Sequence, residues 1–404
     1  MDSPTLFTQA LNASPEHLLW PSATAALDIA PERILIFETE GGRPLTLASN
    51  YPYEVWLDGL FVGDGGHRCT PSEALSDHWE AAATATTVQV RLHWLDIKQT
   101  KVLYRCLFAD AFFAELSPSA PWTCFLDNSI QFAAQASAQL PRQNIVHPHP
   151  SARIALELQP AALSTPWKIL PPFIQQAHYI ALEPHLHHTQ LLKQQEPGTF
   201  QPETTENIAL YIRDHRPCDL QCDTYDLGQI ALHRFEITTH RTACVLYYSE
   251  VANFEDIAST RFRAKVHLAD AISANLQSAA PFGQRGCRYV HVLYPTANSS
   301  RPSIQAWRRE YPLQWKTTQP LSNSAASAAI LSACRVNLIA CIDGGAVDTC
   351  WRERAQWTGD LRMSAIALRA LTNNPEVIDL ALHQIAQSYN PNTGIVNGDR
   401  KSVV

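Results

Sequence analysis

The densest chemistry in the chain lies between positions 348 and 360, which read Asp-Thr-Cys-Trp-Arg-Glu-Arg-Ala-Gln-Trp-Thr-Gly-Asp. Asp348, Glu353 and Asp360 supply carboxylates, Arg352 and Arg354 guanidiniums, Trp351 and Trp357 indoles. Such a set suits the cleavage of a glycosidic bond. That reaction passes through an oxocarbenium-like transition state. One carboxylic acid protonates the leaving oxygen, and a second carboxylate attacks or activates water. Crowded carboxylates repel each other's charge, so one member can stay protonated near neutral pH. Flanking arginines hold the others ionised. Ionised carboxylates accept hydrogen bonds from vicinal hydroxyls, and Trp offers a stacking face to a pyranose. Spacing alone does not rank the three carboxylates. The competing explanation is a solvated loop of ion pairs, the usual fate of a mixed-charge run.

Helices must carry this stretch. Asn323 to Ile342 is Ala- and Ser-rich, with apolar residues at helical spacing. Asp360 to Leu371 places Met363, Ile366, Ala367 and Ala370 on one face at steps of three and four. Asn374-Pro375 is a helix start, with Asn as N-cap and Pro at the first helical position. The helix from Glu376 to Tyr389 follows, and the last two helices are expected to form an antiparallel hairpin. The signature therefore joins one helix to the next. Asp360 falls near a helix N-terminus, where an anion is favoured.

Upstream the pattern is β. Arg33 to Glu38 is a compact apolar run, and Tyr53 to Val62 is two apolar runs around Asp58-Gly59, a hairpin dipeptide. Gly63 to Gly66 ends the second strand. Val88 to Leu95 and Val102 to Phe113 read as half-buried strands. From Ser117 to Glu206 the pattern weakens. Strands that complete the first sandwich and a long connection are expected there. His147, His149, His185, His187 and His188 fit no standard metal spacing and read as solvated loop residues. Ile208 to Ile212, Gly228 to Ile237, Cys244 to Ser249 and Tyr289 to Val292 then suggest a second antiparallel sandwich ending near Pro312.

Bulk properties set the outer limits. The chain has 404 residues, 46% hydrophobic and 17% charged, an ordinary globular balance that leaves room for two or three domains. The net charge of −7 comes without a basic stripe, so nucleic acid is not an expected partner. No apolar run reaches the roughly 18 to 20 residues of a membrane helix, and the first sixteen residues lack the pattern of a signal peptide. The ten cysteines follow no framework spacing. Reduced thiols and a cytoplasmic location are expected.

Asp348, Arg352-Glu353-Arg354 and Trp357-Thr358-Gly359-Asp360 resemble the signature of the α-L-rhamnosidases, inverting glycoside hydrolases with an (α/α)6 barrel of six helical hairpins. The resemblance implies Glu353 as the general acid, with Asp348 second choice for that role. It implies Asp348 and Asp360 as carboxylates that hold sugar hydroxyls, and Arg352 and Trp357 as residues shaping the same pocket. It implies no cofactor and no metal. Further upstream, Tyr53 to Gly66 resembles the family's first sandwich motif. Tyr225-Asp226-Leu227-Gly228 with Tyr248-Ser249-Glu250 resembles the second sandwich, and Arg285-Gly286-Cys287-Arg288-Tyr289 the strand before the barrel. The resemblance runs from about residue 25 to 396. It departs at Thr349, Cys350 and Trp351, where the family commonly has Cys and Pro after the first Asp.

The fold expected is two N-terminal antiparallel β-sandwich domains followed by the first helices of an incomplete (α/α)6 barrel. The expected divisions are 1–205, 206–312 and 313–404. The function implied is hydrolysis of terminal α-L-rhamnosyl residues from a glycoside or oligosaccharide. The general base is expected beyond the chain end, so the chain as it stands is expected to be nearly inactive. Helices without barrel partners are expected to pack loosely, form a homo-oligomer or aggregate. The alternatives are a non-enzymatic carbohydrate-binding sandwich protein and a six-hairpin glycosidase acting on another sugar.

Overall fold

The strand Glu32–Glu40 shows how the chain is layered. Its side chains alternate between two cores. Leu35 and Phe37 pack with Leu45, Leu47, Trp79 and Phe113, whereas Ile34 and Ile36 pack with Phe235, Leu246 and Val292. Neighbouring residues of a strand point to opposite faces, so an unbroken apolar run such as Ile34 to Phe37 marks a strand buried on both sides. Burial of each such side chain contributes roughly 1.5–3 kcal/mol. The computed structural model describes residues 18–21, 32–66, 73–95, 112–116, 120–127, 130–132, 142–146, 153–161, 168–170, 175–192, 219–253, 268–296, 300–317, 324–350, 354, 356–387, 389 and 391–394.

Among the described residues there are three sheets. The middle one runs Arg153–Leu156, Thr123–Asp127, Glu32–Glu40, Thr87–Leu95, Tyr53–Leu57 and Leu60–Gly65. On one side lies a six-stranded sheet that includes Leu45–Ser49, Glu73–Trp79, Phe113–Glu115 and Lys168–Leu170. On the other lies a larger sheet organised around the long strand Leu220–Thr238, which pairs with both Arg285–Pro295 and Ser303–Glu310. The first two sheets form a sandwich, as expected. Its inner wall also forms a core with the third sheet.

The Asp58-Gly59 hairpin is present. Tyr53–Leu57 pairs with Leu60–Gly65, and Asp58 and Gly59 take φ of 49° and 81°. Both central residues are left-handed, as the tightest hairpin turns require. The Asp58 carboxylate accepts Thr86 N–H at 3.0 Å and Thr87 N–H at 2.8 Å, which ties the turn to the next strand.

The weak middle region divides between sheets. Thr123–Asp127, Arg153–Leu156 and Lys168–Leu170 join the first sandwich. In contrast, Arg142–Val146 pairs in parallel with Leu268–Ile272, whereas His178–Leu182 pairs antiparallel with Ser303–Glu310 and His185–Leu192 antiparallel with Leu220–Thr238. The third sheet thus takes strands from before residue 205, where the sequence suggests strands of the first sandwich and a long connection. His185, His187 and His188 lie on a strand, not in a loop, and His187 sits where the register shifts between Leu186 and His188. His147 and His149, and the expected strands at 102–111 and 208–212, lie outside the described residues.

Among the described residues, three helices follow: α1 (Ala325–Ala340), α2 (Thr358–Leu371) and α3 (Pro375–Gln387). Ser324 caps α1 by accepting Ser327 N–H at 3.1 Å. Leu338, Leu361, Leu368, Val377, Leu380 and Ala381 form a third core with Leu75 and Leu170 of the outer sheet. The face that the spacing of Met363 and Ile366 marks on α2 is not the one that meets the core. Met363 and Ile366 are exposed, while Leu361 and Leu368, two turns apart, face the core. The helix carries two apolar arcs, and periodicity alone does not say which one meets the protein. Asn374 precedes α3 as expected, but its side chain serves other partners. Its Oδ1 accepts Gln314 N–H at 2.5 Å and its Nδ2 donates to Glu376 at 2.7 Å. No helix among the described residues is long and apolar enough to cross a membrane.

Candidate active site

The loop between α1 and α2 begins with a tight turn. Ile342 bridges Ala346, Asp343 N–H donates to Gly345 O at 2.8 Å, and Val347 N–H donates to Cys341 O at 2.9 Å. Gly344 at φ 68° lets the chain reverse there, at little cost because it lacks a Cβ. Asp348 follows directly and is half-buried. Its carbonyl accepts the Cys341 thiol at 3.6 Å. Cys350 is buried against Leu232 and Ala340, which anchors the first half of the loop to the long strand and to α1. Burial pushes the Cys350 thiol up to about 12 and the Cys341 thiol, with help from Asp348, up to about 11. Both thiols are thereby held in the protonated form at neutral pH.

The second half of the loop runs into α2. Gln356 is buried and Trp357 half-buried with extended backbone. The Trp357 carbonyl accepts Leu361 N–H at 2.8 Å, the first bond of the helix. Asp360 lies exposed in the first turn, where the helix dipole stabilises an anion by about 0.3–1 kcal/mol. Asp348 and the Trp357–Asp360 turn therefore stand at the two ends of one connection. Glu353 and Arg352, the other two residues singled out from sequence, lie outside the described residues.

Arg354 stands between these ends and binds the loop to the sheets. Its backbone is left-handed, at φ 46°. Its Nε donates to Asp343 Oδ2 at 3.0 Å, and its Nη2 also bonds Asp343. Its Nη1 and Nη2 reach Gln284 O at 3.2 Å and Gln284 Oε1 at 3.4 Å. Gln284 Nε2 donates to Tyr179 Oη at 3.0 Å, and Tyr179 O–H donates to Asp64 Oδ1 at 2.6 Å. Arg309 Nε donates to the same Asp64 oxygen at 3.0 Å, while Arg309 Nη1 bonds Ile342 O at 2.9 Å and lies 3.8 Å from Asp343 Oδ1. The six side chains close a ring. Burial would raise the Asp64 carboxyl, but Arg309 and Tyr179 hold it below its ordinary value. Burial and the neighbouring Asp64 carboxylate push the Tyr179 phenol far up.

Several upstream motif residues turn out to hold the frame. Arg285 Nε and Nη2 grip Asp270 at 2.9 and 3.0 Å, and Tyr248 O–H donates to the same carboxylate at 2.6 Å. Asp226 receives Arg288 at 3.0 and 2.9 Å. Glu54, from the first hairpin, accepts Gly283 N–H at 2.7 Å and faces the fully buried Arg234 at 3.4 Å. A buried pair is costly to break, because the charge left behind has no water. The sequence singles out none of Asp64, Tyr179, Arg309 or Asp343 as a site residue. Their nearest signals were the Gly63 to Gly66 run around Asp64 and the glycine pair after Asp343.

No family model and no curated protein sequence matches the chain. Its fold does match solved structures. A rhamnosidase of the GH78 family from Bacillus sp. GL1 superposes with a TM-score of 0.66 at 11% identity, over 98% of this chain and 65% of that one. The α-L-rhamnosidase from Dictyoglomus thermophilum matches with a TM-score of 0.55 at 13% identity, over 94% of this chain and 44% of the other. The Streptomyces avermitilis α-L-rhamnosidase, solved in complex with L-rhamnose, matches at 0.55 and 13%, over 92% and 37%. The chain thus spans less than two thirds of each of these three proteins. At this sequence distance the likeness is one of fold alone.

Proposed function

We propose that this chain is part of a glycoside hydrolase that removes terminal α-L-rhamnosyl residues with inversion of configuration. The observation that carries the reading is the likeness in fold to α-L-rhamnosidases over 98% of the chain. The signature also occupies the connection between α1 and α2, with Trp357–Asp360 opening a helix. In this reading Glu353 protonates the leaving oxygen. Asp348 and Asp360 accept hydrogen bonds from sugar hydroxyls, and Trp357 and Arg352 shape the pocket. No step calls for a metal. An inverting reaction also needs a carboxylate base, with a water between it and the sugar. Among the described helices the carboxylates are Asp360, Glu376 and Asp379, and Glu376 is engaged by Tyr311 and Asn374. In this reading the base comes from the part of the relatives' fold that this chain does not match.

Among the described side chains of the three sheets, no Trp, Phe or Tyr is exposed. That gives the binding-protein alternative no stacking platform there. The test is hydrolysis of an aryl α-L-rhamnoside, with the anomer of the first product read by NMR. A chain extended through a complete helical barrel is expected to release β-L-rhamnose, and the 404-residue chain next to nothing. No hydrolysis by the extended chain would sink the assignment. Hydrolysis by the 404 residues alone would place the base within them.

A further inference from the structure

We infer that the ring Arg354–Asp343–Arg309–Asp64–Tyr179–Gln284 is a positioning device for the signature loop, through which Asp64, Tyr179 and Arg309 set the placement of Asp348 and Trp357. The ligand in this inference rests on the rhamnosidase reading. The mechanics rest on the ring alone.

Three observations carry it. First, the ring closes with consistent polarity. Tyr179 donates to Asp64 and accepts from Gln284, whose amide oxygen is left for Arg354. Five links are hydrogen bonds with a defined donor and acceptor, and the sixth, Arg309 to Asp343, is an ion pair at 3.8 Å. Second, Arg354 is a non-glycine residue at φ 46°, a sparsely populated conformation that persists only where its surroundings over-determine it. Its guanidinium is held by Asp343 on one side and Gln284 on the other. Third, Asp64, Gln284 and Arg309 are buried, where low dielectric stiffens polar contacts. The members come from the first hairpin, the large sheet, the end of α1 and the loop itself. Ordinary cement between domains would need only the Asp64–Arg309 pair. The ring goes further and grips the loop midway between its two sugar-facing ends.

The experiment uses the 404-residue chain with Tyr179→Phe, Asp64→Asn, Arg354→Lys and Arg354→Gly. Asp226→Asn serves as a control outside the ring. Hydrogen exchange is followed on peptides covering 343–360, and L-rhamnose binding by calorimetric titration. Losing one charge-linked hydrogen bond predicts about tenfold faster loop exchange and about tenfold weaker binding in Tyr179→Phe and Asp64→Asn. In Tyr179→Phe the unfolding midpoint stays close to that of the control, whereas Asp64→Asn also lowers it, because Arg309 is left buried without its carboxylate. Arg354→Gly relieves the backbone but cuts the ring, so it too should speed loop exchange. Tyr179→Phe removes a single oxygen and keeps the inference testable if the charge variants fail to fold. Wild-type loop exchange in Tyr179→Phe and Asp64→Asn would overturn the inference. So would, in Tyr179→Phe, an equal rise in all peptides with a falling midpoint, the mark of cement alone. If the unsubstituted chain shows no L-rhamnose binding, that counts against the rhamnosidase reading, and the exchange data alone decide the ring.

Discussion

His383 of α3 lies 2.6 Å from the Glu73 carboxylate of the outer sheet, a contact between residues 310 apart in sequence. Both side chains are largely shielded from water. The pair docks the last helix onto the first sandwich, beside the apolar contact of Val377 and Leu380 with Leu75 and Leu170. Removing the imidazole leaves a shielded carboxylate short of a partner, at a cost of about 1–3 kcal/mol. His383→Ala should therefore speed hydrogen exchange in α3 while leaving the middle sheet unchanged. Unaltered α3 exchange would mean that the apolar contact alone docks the helix.

Acid should loosen the large sheet. His233 and His291 are buried, and burial lowers both to about 3 from 6.5. His291 accepts or donates on both ring nitrogens, to Thr224 at 2.9 Å and Ser249 at 2.8 Å. Their folded-state values lie below the unfolded one, so the unfolded chain binds more protons between pH 6.5 and 3. Stability is complete above 6.5 and falls as the pH drops through that window. From pH 6.5 to 5 the loss is roughly 2 kcal/mol for each histidine. Denaturant unfolding at stepped pH should show this slope, and replacing His233 by Asn with His291 by Gln should flatten it. A flat profile in the unsubstituted protein would contradict neutral burial.

Glu353 can be assigned by its leaving-group dependence. A general acid contributes about 10²–10⁴-fold where the departing oxygen needs its proton. In a chain with a complete barrel, Glu353→Gln should lose that factor on an alkyl α-L-rhamnoside and much less on a nitrophenyl one. Asp348→Asn should instead weaken both substrates alike, chiefly through KM. Equal losses on both substrates for Glu353→Gln would move the acid to Asp348.

The helices leave large apolar side chains in water. Ile330, Met363, Ile366 and Leu382 are each more than half exposed. Apolar surface collected on one region favours association. Sedimentation should show the 404-residue chain self-associating as its concentration rises, and Met363→Glu with Ile366→Lys should reduce this. A strictly monomeric chain at high concentration would contradict it.

How much of this was legible in the sequence depends on how local the cause was. The Asp58-Gly59 turn and the start of α3 at Pro375 depend on a few neighbouring residues, and both stand where the residues put them. Arg142–Val146 has one local partner in Ile130–Phe132, but its other partner and that of His178–Leu182 lie more than a hundred residues away, and nothing in those short runs identifies them. Met363 and Ile366 have the right spacing for a buried face, yet the third core takes Leu361 and Leu368. The signature loop was found because its chemistry is contiguous. The ring around it was not, since Asp64 and Arg354 are joined only by folding.

The strand with two buried faces bears on how such a chain diverges. Substitutions drift freely where a side chain has an exposed side to lean into. Ile34 to Phe37 have none, because each alternate residue answers to a different core. Two sets of neighbours must agree before one of these positions changes. The exposed sides of α1 and α2 impose no such agreement. Among relatives too distant to align, the run from Arg33 to Glu38 is therefore where apolar character should persist longest, and the bare helix faces are where it should fade first.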